Sequence, residues 1–214
     1  MDSQLDPSIA ALYAYWTRQR GTAPAVRRSA IAPADFVPLL GDVFILDAAQ
    51  RAAMPFRLAG TRLCSSFGRE LRGEDFLGLW ARADIARVAE ALIAVTTEAA
   101  AVTLGLAAVN GRGQSVGAEM ILLPMSQDGR AIDRVLGLLA PAGHPTWLGL
   151  HPIRQLDVLS TGRLPSGPVP APASRAAVAD RPAPVAIPRA PESPIDAPDL
   201  RPRPRLVVLE GGRR

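Results

Sequence analysis

Phe56-Arg57-Leu58-Ala59-Gly60-Thr61-Arg62-Leu63-Cys64-Ser65-Ser66-Phe67-Gly68-Arg69-Glu70-Leu71-Arg72-Gly73 is the stretch whose reading decides the fold. Phe56 to Ala59 reads as a short strand that Gly60 stops. Thr61 can then cap a short helix running to Phe67, and Gly68 and Gly73 break the chain again. Upstream, Val43-Phe44-Ile45-Leu46-Asp47 is a second short apolar run. The turn from Ala48 to Pro55 makes the two runs a hairpin.

Working outward, Asp6-Pro7 opens a helix: Asp6 can cap free amides, and proline is tolerated at the first helical position. Ile9, Leu12, Tyr13 and Trp16 follow at i, i+3, i+4 and i+7, one apolar stripe, and Gly21 ends it. A short helical piece is expected around Ala34 to Leu40. Downstream, Asp75 can cap a turn carrying Phe76, Leu79 and Trp80. Arg82 to Glu98 is the main helix, with Ile85, Val88, Ala89, Leu92 and Thr96 on one side. Three strands follow at Ala101–Val109, Ser115–Met125 and Asp133–Ala140. Asn110-Gly111-Arg112-Gly113 joins the first two as a hairpin turn. It superficially looks like a phosphate loop, but phosphate loops enter a helix N-terminus and this one joins two strands. Hairpins with helices between them predict an α+β fold, an antiparallel sheet with helices on one face.

Charge placement excludes some functions. All 24 basic residues are arginine, against 20 acids. Nine of those arginines and five of those acids lie in residues 161–214, which leaves 15 of each before residue 161. The module is therefore neutral, with no excess of basic residues to concentrate into the face of a nucleic-acid-binding domain, so nucleic acid is a minor expectation. Twelve of the 21 prolines lie between Pro165 and Pro204, a composition that does not bury enough apolar area to fold. The expected organisation is an amphipathic helix in 1–22, a folded domain in 23–160, a Pro/Ala/Arg-rich disordered linker in 161–205 and a short strand-like motif in 206–214. The one cysteine, Cys64, rules out an internal disulfide and suits a reducing compartment. The acidic start lacks the features of a signal peptide. No apolar run approaches the roughly 20 residues of a membrane span. The expectation is a cytoplasmic protein.

The ordered blocks Tyr15-Trp16, Arg57-Leu58-Ala59-Gly60-Thr61, Phe67-Gly68-Arg69-Glu70-Leu71-Arg72-Gly73, Glu119-Met120-Ile121-Leu122-Leu123-Pro124 and Arg134-Val135-Leu136-Gly137 resemble a PAS domain. More closely, they are similar to the divergent bacterial PAS-like family often called a domain of unknown function. The resemblance covers roughly residues 7 to 160. It implies a PAS-like five-stranded antiparallel sheet with helices over one face. It also implies a small-ligand or cofactor cavity between them, or a purely dimerising and docking role, usually in control of a fused output domain. No kinase, cyclase or helix-turn-helix pattern follows here, so output is expected through a partner protein, a homodimer or the tail.

Several residues carry this expectation. Leu63, Phe67, Phe76, Trp80, Leu92 and Glu119 are the ligand-pocket candidates, with core packing the commoner use of the apolar ones. Period-two alternation puts Glu119 on the face opposite Met120 and Leu122. There it is either a polar anchor in a cavity or a cross-strand partner for an arginine such as Arg57 or Arg134. Leu12, Tyr13 and Trp16 are interaction candidates through a dimerising helix, and Trp16 and Trp147 cover the sheet's outer face or join an interface. Leu206, Val207, Val208 and Leu209 are candidates for strand addition to a partner. Cys64 lacks the Asn-Cys-Arg context of flavin-photosensing PAS domains and reads as a small buried hydrophobe. His144 and His151 follow the last expected strand, where they are poorly placed as haem ligands, and with Cys64 they match no zinc spacing.

No nucleophile, metal ligand or acid/base residues converge in the sequence. The leading expectation is a non-enzymatic PAS-type sensory or regulatory module. A ligand-free adaptor acting through its N-terminal helix and C-terminal tail is the alternative. A small α+β enzyme relying on Glu119 is the third.

Overall fold

The computed structural model describes residues 5–49, 53–143 and 145–165, all within one compact unit. Leu206, Val207, Val208, Leu209, His144 and the expected linker beyond residue 165 lie outside the described residues. The elements are α1 (Pro7–Arg20), β1 (Val26–Arg27), β2 (Val43–Asp47), β3 (Phe56–Ala59), α2 (Thr61–Phe67), α3 (Ile85–Thr97), β4 (Ala101–Asn110), β5 (Ser115–Ser126), β6 (Arg134–Pro141) and β7 (Ile153–Leu164). 3-10 turns at Pro33–Leu39, Phe76–Leu79 and Arg82–Asp84 connect them. No described helix is long and apolar enough to cross a membrane.

The strands form one sheet in the order β3-β2-β6-β5-β4-β7, with β1 pairing in parallel to the end of β5. The first five of that order are the expected antiparallel strands. The sheet is extended beyond them by β7, which sequence analysis missed. That moves the end of the folded domain from 160 past Leu164, and Thr161 to Leu164 are strand rather than linker. It also means that His151 precedes a strand rather than following the last one.

Helices α2 and α3 with the turn Phe76–Leu79 cover the inner face, over Phe44, Leu46, Val102, Leu104, Met120 and Leu122. The buried side of α3 is Val88, Ala91, Leu92, Ala94 and Val95. It is rotated from the expected stripe, so Ile85, Ala89 and Thr96 are only half-buried. The α-helix begins at Ile85, after the separate turn Arg82–Asp84.

Helix α1 lies on the outer face. Ile9, Leu12, Tyr13, Tyr15 and Trp16 are buried against Ile121, Leu123, Met125, Leu136 and Leu138. Asp6 caps it by accepting from Ser8 N at 2.8 Å. Trp16 Nε1 donates to Pro124 O at 2.9 Å, and Tyr15 Oη accepts from Ala32 N at 2.9 Å. The Tyr13 hydroxyl donates to Pro165 O, and burial pushes its pKa up, which keeps the donor protonated. Leu12, Tyr13 and Trp16 are therefore not an exposed docking stripe: they close the chain's own sheet. Trp147 is half-buried against the inner core, which corrects the outer-face reading of it.

The join between β3 and α2 explains the glycine of the motif. Gly60, not Thr61, is the N-cap, and no side chain caps this helix. The free amide of Leu63 is instead met by Gly41 O at 2.9 Å. A Cβ on Gly60 would drive into the carbonyls of Leu40 and Gly41. Arg62 braces the same joint, with Nε 3.0 Å from each Asp42 carboxylate oxygen and Nη2 2.6 Å from Pro38 O.

Because the α1 stripe is buried within one chain, Trp16→Ala should cost about 3–5 kcal/mol of unfolding free energy. Urea denaturation should give the same loss at low and high protein concentration. A loss that appears only at high concentration would mean that the stripe serves an association instead.

Candidate functional site

The inner face brings an unbroken run of rings together. Phe44, Phe56 and Phe76 lie with centroids 5.6 to 5.7 Å apart, and Trp80 follows edge-on to Phe76 at 5.4 Å. Leu63, Phe67 and Leu92 pack into the same cluster. Five of the six pocket candidates thus share one region. Phe44 and Phe56, which the sequence reading left as strand residues, belong to it as well. Their alternate placement in β2 and β3 toward the helices was the available signal.

Trp80 is 5% exposed. Its backbone bridges to Leu156 of β7, and the next amide, Ala81 N, donates to Leu156 O at 3.0 Å. Its indole Nε1–H is buried and has no acceptor among the described residues. A buried donor left unpaired costs about 1–3 kcal/mol, so this N–H is the one polar group in the aromatic cluster with unmet hydrogen-bonding capacity.

A cleft of about 200 Å³ opens beside the cluster. It lies between α3 and the 3-10 turn that ends at Trp80, lined by Met54, Leu77, Ala89, Leu92, Ile93, Thr96 and Thr97. The two hydroxyls of this lining are already committed, Thr96 Oγ1 to Leu92 O at 2.8 Å and Thr97 Oγ1 to Ile93 O at 2.6 Å. The cleft therefore offers apolar contact.

Glu119 is not part of this region. It lies on the outer face between Gly105 of β4 and Ala140 of β6. Its Oε2 accepts from Asp6 N at 2.7 Å, so it secures the entry to α1 across 113 residues of sequence. Neither expected arginine partner reaches it. Arg134 pairs with Asp47 at 2.9 Å, and Arg57 lies 3.8 Å from the same carboxylate. Glu119 also borders an outer-face cleft of about 670 Å³, whose lining includes Gly105, Gly117, Ala140 and the run from Leu159 to Leu164. Replacement of Glu119 by Ala should cost about 1.5–3 kcal/mol, the range for a hydrogen bond to a charged group. Thermal or urea unfolding reads this; unchanged stability would separate Glu119 from the helix.

Cys64 is half-buried, with Sγ 3.5 Å from Glu70 Oε1 and 4.0 Å from Ala59 O. Burial pushes its thiol pKa up, and the Glu70 carboxylate adds to this. Glu70 itself is held below the usual carboxylate range, chiefly by the Arg72 amide at 3.0 Å. The environment thus disfavours a thiolate nucleophile. Among the described residues, no group of three or more His, Cys, Asp or Glu is placed to hold a metal ion.

These features define an α+β module in which a sheet and its covering helices enclose an aromatic interior. The PAS domain family model matches residues 4–140, well over half of the chain, and the chain belongs to that family. Among solved structures, the Rhodobacter sphaeroides LOV protein is 13% identical with a TM-score of 0.41, over 55% of this chain and 73% of that one. The dark-state LOV domain of the photoreceptor Aureochrome1 is 12% identical with a TM-score of 0.42, over 56% and 88%. The PAS domain of an HTR-like protein from Haloarcula marismortui is 16% identical with a TM-score of 0.38, over 50% and 89%. No curated protein matches the chain.

The raised Cys64 pKa has a direct readout. The raised folded value moves half-maximal alkylation by iodoacetamide to a higher pH than in the unfolded chain. The rate at neutral pH should be correspondingly lower in the folded protein, and equal profiles would show that burial does not control this thiol.

Proposed function

We propose that this protein is a non-enzymatic PAS-type sensory or regulatory module. It takes a small, largely apolar molecule at the aromatic interior and signals through a second copy or a partner protein. The carrying observation is the buried Trp80 Nε1–H without an acceptor. Trp80 is packed in the apolar cluster; the cleft beside that cluster, which Leu92 lines and Trp80 does not, is apolar as well, and ligand sites are mostly apolar with a few placed polar groups. A ligand with one hydrogen-bond acceptor would satisfy that donor, and its remaining surface would contact Leu92 and neighbouring apolar groups.

Family membership supports a sensory role for the fold. Against the enzyme reading stand the engagement of Glu119 by the start of α1 and the raised pKa of Cys64. Against the adaptor reading through α1 stands the burial of its apolar stripe.

The test is native mass spectrometry of the full chain purified from its own host, set beside the denatured mass. A stoichiometric non-covalent addition is expected, and its mass identifies the ligand. Trp80→Phe keeps an aromatic ring and removes the donor. It should weaken retention of that ligand about 10-fold or more, the equivalent of roughly 1.4 kcal/mol. Native protein without added mass, unchanged on incubation with host extract, would reject the ligand-binding reading. An addition retained equally by Trp80→Phe would keep a ligand and reject this donor.

A further inference from the structure

The last strand, β7, has two unlike halves. Its first half is sealed along the edge away from β4. Leu156 O accepts from Ala81 N, Val158 N donates to Asp84 Oδ2 at 2.9 Å, and Val158 O accepts from Arg87 Nη1 at 2.7 Å. Asp84 and Arg87 are themselves paired at 3.2 Å.

At Leu159 the register with β4 slips by one: Leu106 faces Val158, while Gly105 faces Ser160. Such a bulge puts two residues opposite one and reverses the subsequent alternation. Val158 turned its amide and carbonyl outward. Beyond the bulge, the residues that do so are Thr161 and Arg163. Among the described residues these four backbone groups have no hydrogen-bond partner. The same half carries Leu159, a large apolar side chain 65% exposed. An open edge of this kind is a template for another strand. It lies outside residues 4–140, the part that matches the family model.

We propose that the Leu159–Leu164 half of β7 is the surface through which two copies of this chain join, edge to edge and antiparallel. The outward set is self-complementary. With Gly162 on the two-fold axis, Thr161 of each copy stands opposite Arg163 of the other, and all four outward groups on each copy are paired. One register accomplishes this, because Asp84 and Arg87 already cover Val158 on one side and Pro165, with no N–H, follows on the other. Charge is compatible as well. Arg163 is bound by Glu98 of its own chain at 2.5 Å, so the two arginines near the axis arrive neutralised. Leu159 of each copy comes opposite Pro165 of the other and loses part of its exposure. The two inner cores stay separate, so each copy folds alone and the association is weak and reversible.

This inference rests on the part of the reading above in which output passes through a second copy, and it does not depend on a ligand. The test is sedimentation velocity of the full chain over a range of concentrations, with amide hydrogen exchange followed in parallel. A monomer–dimer equilibrium is expected, with amide protection at Thr161 and Arg163 that rises with concentration. Thr161→Pro removes an outward N–H without touching the ladder to β4. It should raise the dimer dissociation constant at least 10-fold, with an unchanged circular dichroism spectrum. Leu159→Glu, at an exposed site, should do the same and serves if the proline variant misfolds. A dimer left intact by both variants would overturn this edge as the interface and leave dimer signalling standing. A monomer at every concentration, or protection that is independent of concentration, would overturn the proposal itself, while the mass measurement above would still decide the ligand.

Discussion

The backbone of Gly60 passes so close to that of Gly41 that no side chain fits between them, and the architecture depends on that contact. It turns the chain sharply out of β3 and delivers the Leu63 amide to Gly41 O. Helix α2 is thereby started over the inner face of the sheet rather than beyond its edge. Once α2 is placed, Leu63 and Phe67 enter the inner core beside Phe44 and Phe56. The Arg62–Asp42 pair closes the same joint from outside. It is largely exposed, so its role is orientation more than net stability.

A sheet has two faces to cover, and this chain uses different devices for each. The inner face receives aromatic and aliphatic side chains from α2, α3 and the turn at Phe76–Leu79. The outer face receives α1, held at its start by Glu119 and along its length by Trp16 and Tyr15, with Ile31 and Phe36 of the following segment packed into the same cluster. Pro124 is informative here. A proline inside a strand lacks an N–H for its ladder. It sits where the pairing of β5 to β4 has ended, at Leu122, and the pairing to β1 has not yet begun, at Met125. Its carbonyl is used by Trp16 instead.

How much of this was readable in the sequence follows from how local each signal is. The α1 stripe, the β2–β3 hairpin and the β4–β5 turn are carried by residues within a few positions of one another, and all were legible. The inner aromatic cluster was legible in part, since Phe67, Phe76 and Trp80 stood out while Phe44 and Phe56 read only as strand. β7 was not legible, for a physical reason. Its bulges at Arg154 and Leu159 break the period of two, and its second half has no buried face to enforce alternation. The role of Glu119 was hidden too, because its partner is an amide 113 residues away. On α3, alanines at 91 and 94 carry burial that larger side chains would have advertised.

The two proposed activities meet on one element. Trp80 bridges to β7 at Leu156, which also accepts from Ala81 N, and Asp84 and Arg87 bind Val158 on the same edge. Immediately beyond lies the half that is open. On these proposals, a ligand that hydrogen-bonds Trp80 would bear on the segment whose Asp84 and Arg87 hold Val158, the residue before the bulge at Leu159. Linkage makes the effect mutual: whatever factor the ligand applies to dimerisation, dimerisation applies to ligand affinity. A fold with its sensing residue and its open edge on separate strands would have to carry the same coupling through the packed core. Here the proposed path is short: the Leu156 bridge, the Ala81 amide, and the Asp84 and Arg87 side chains on Val158, all along a single strand.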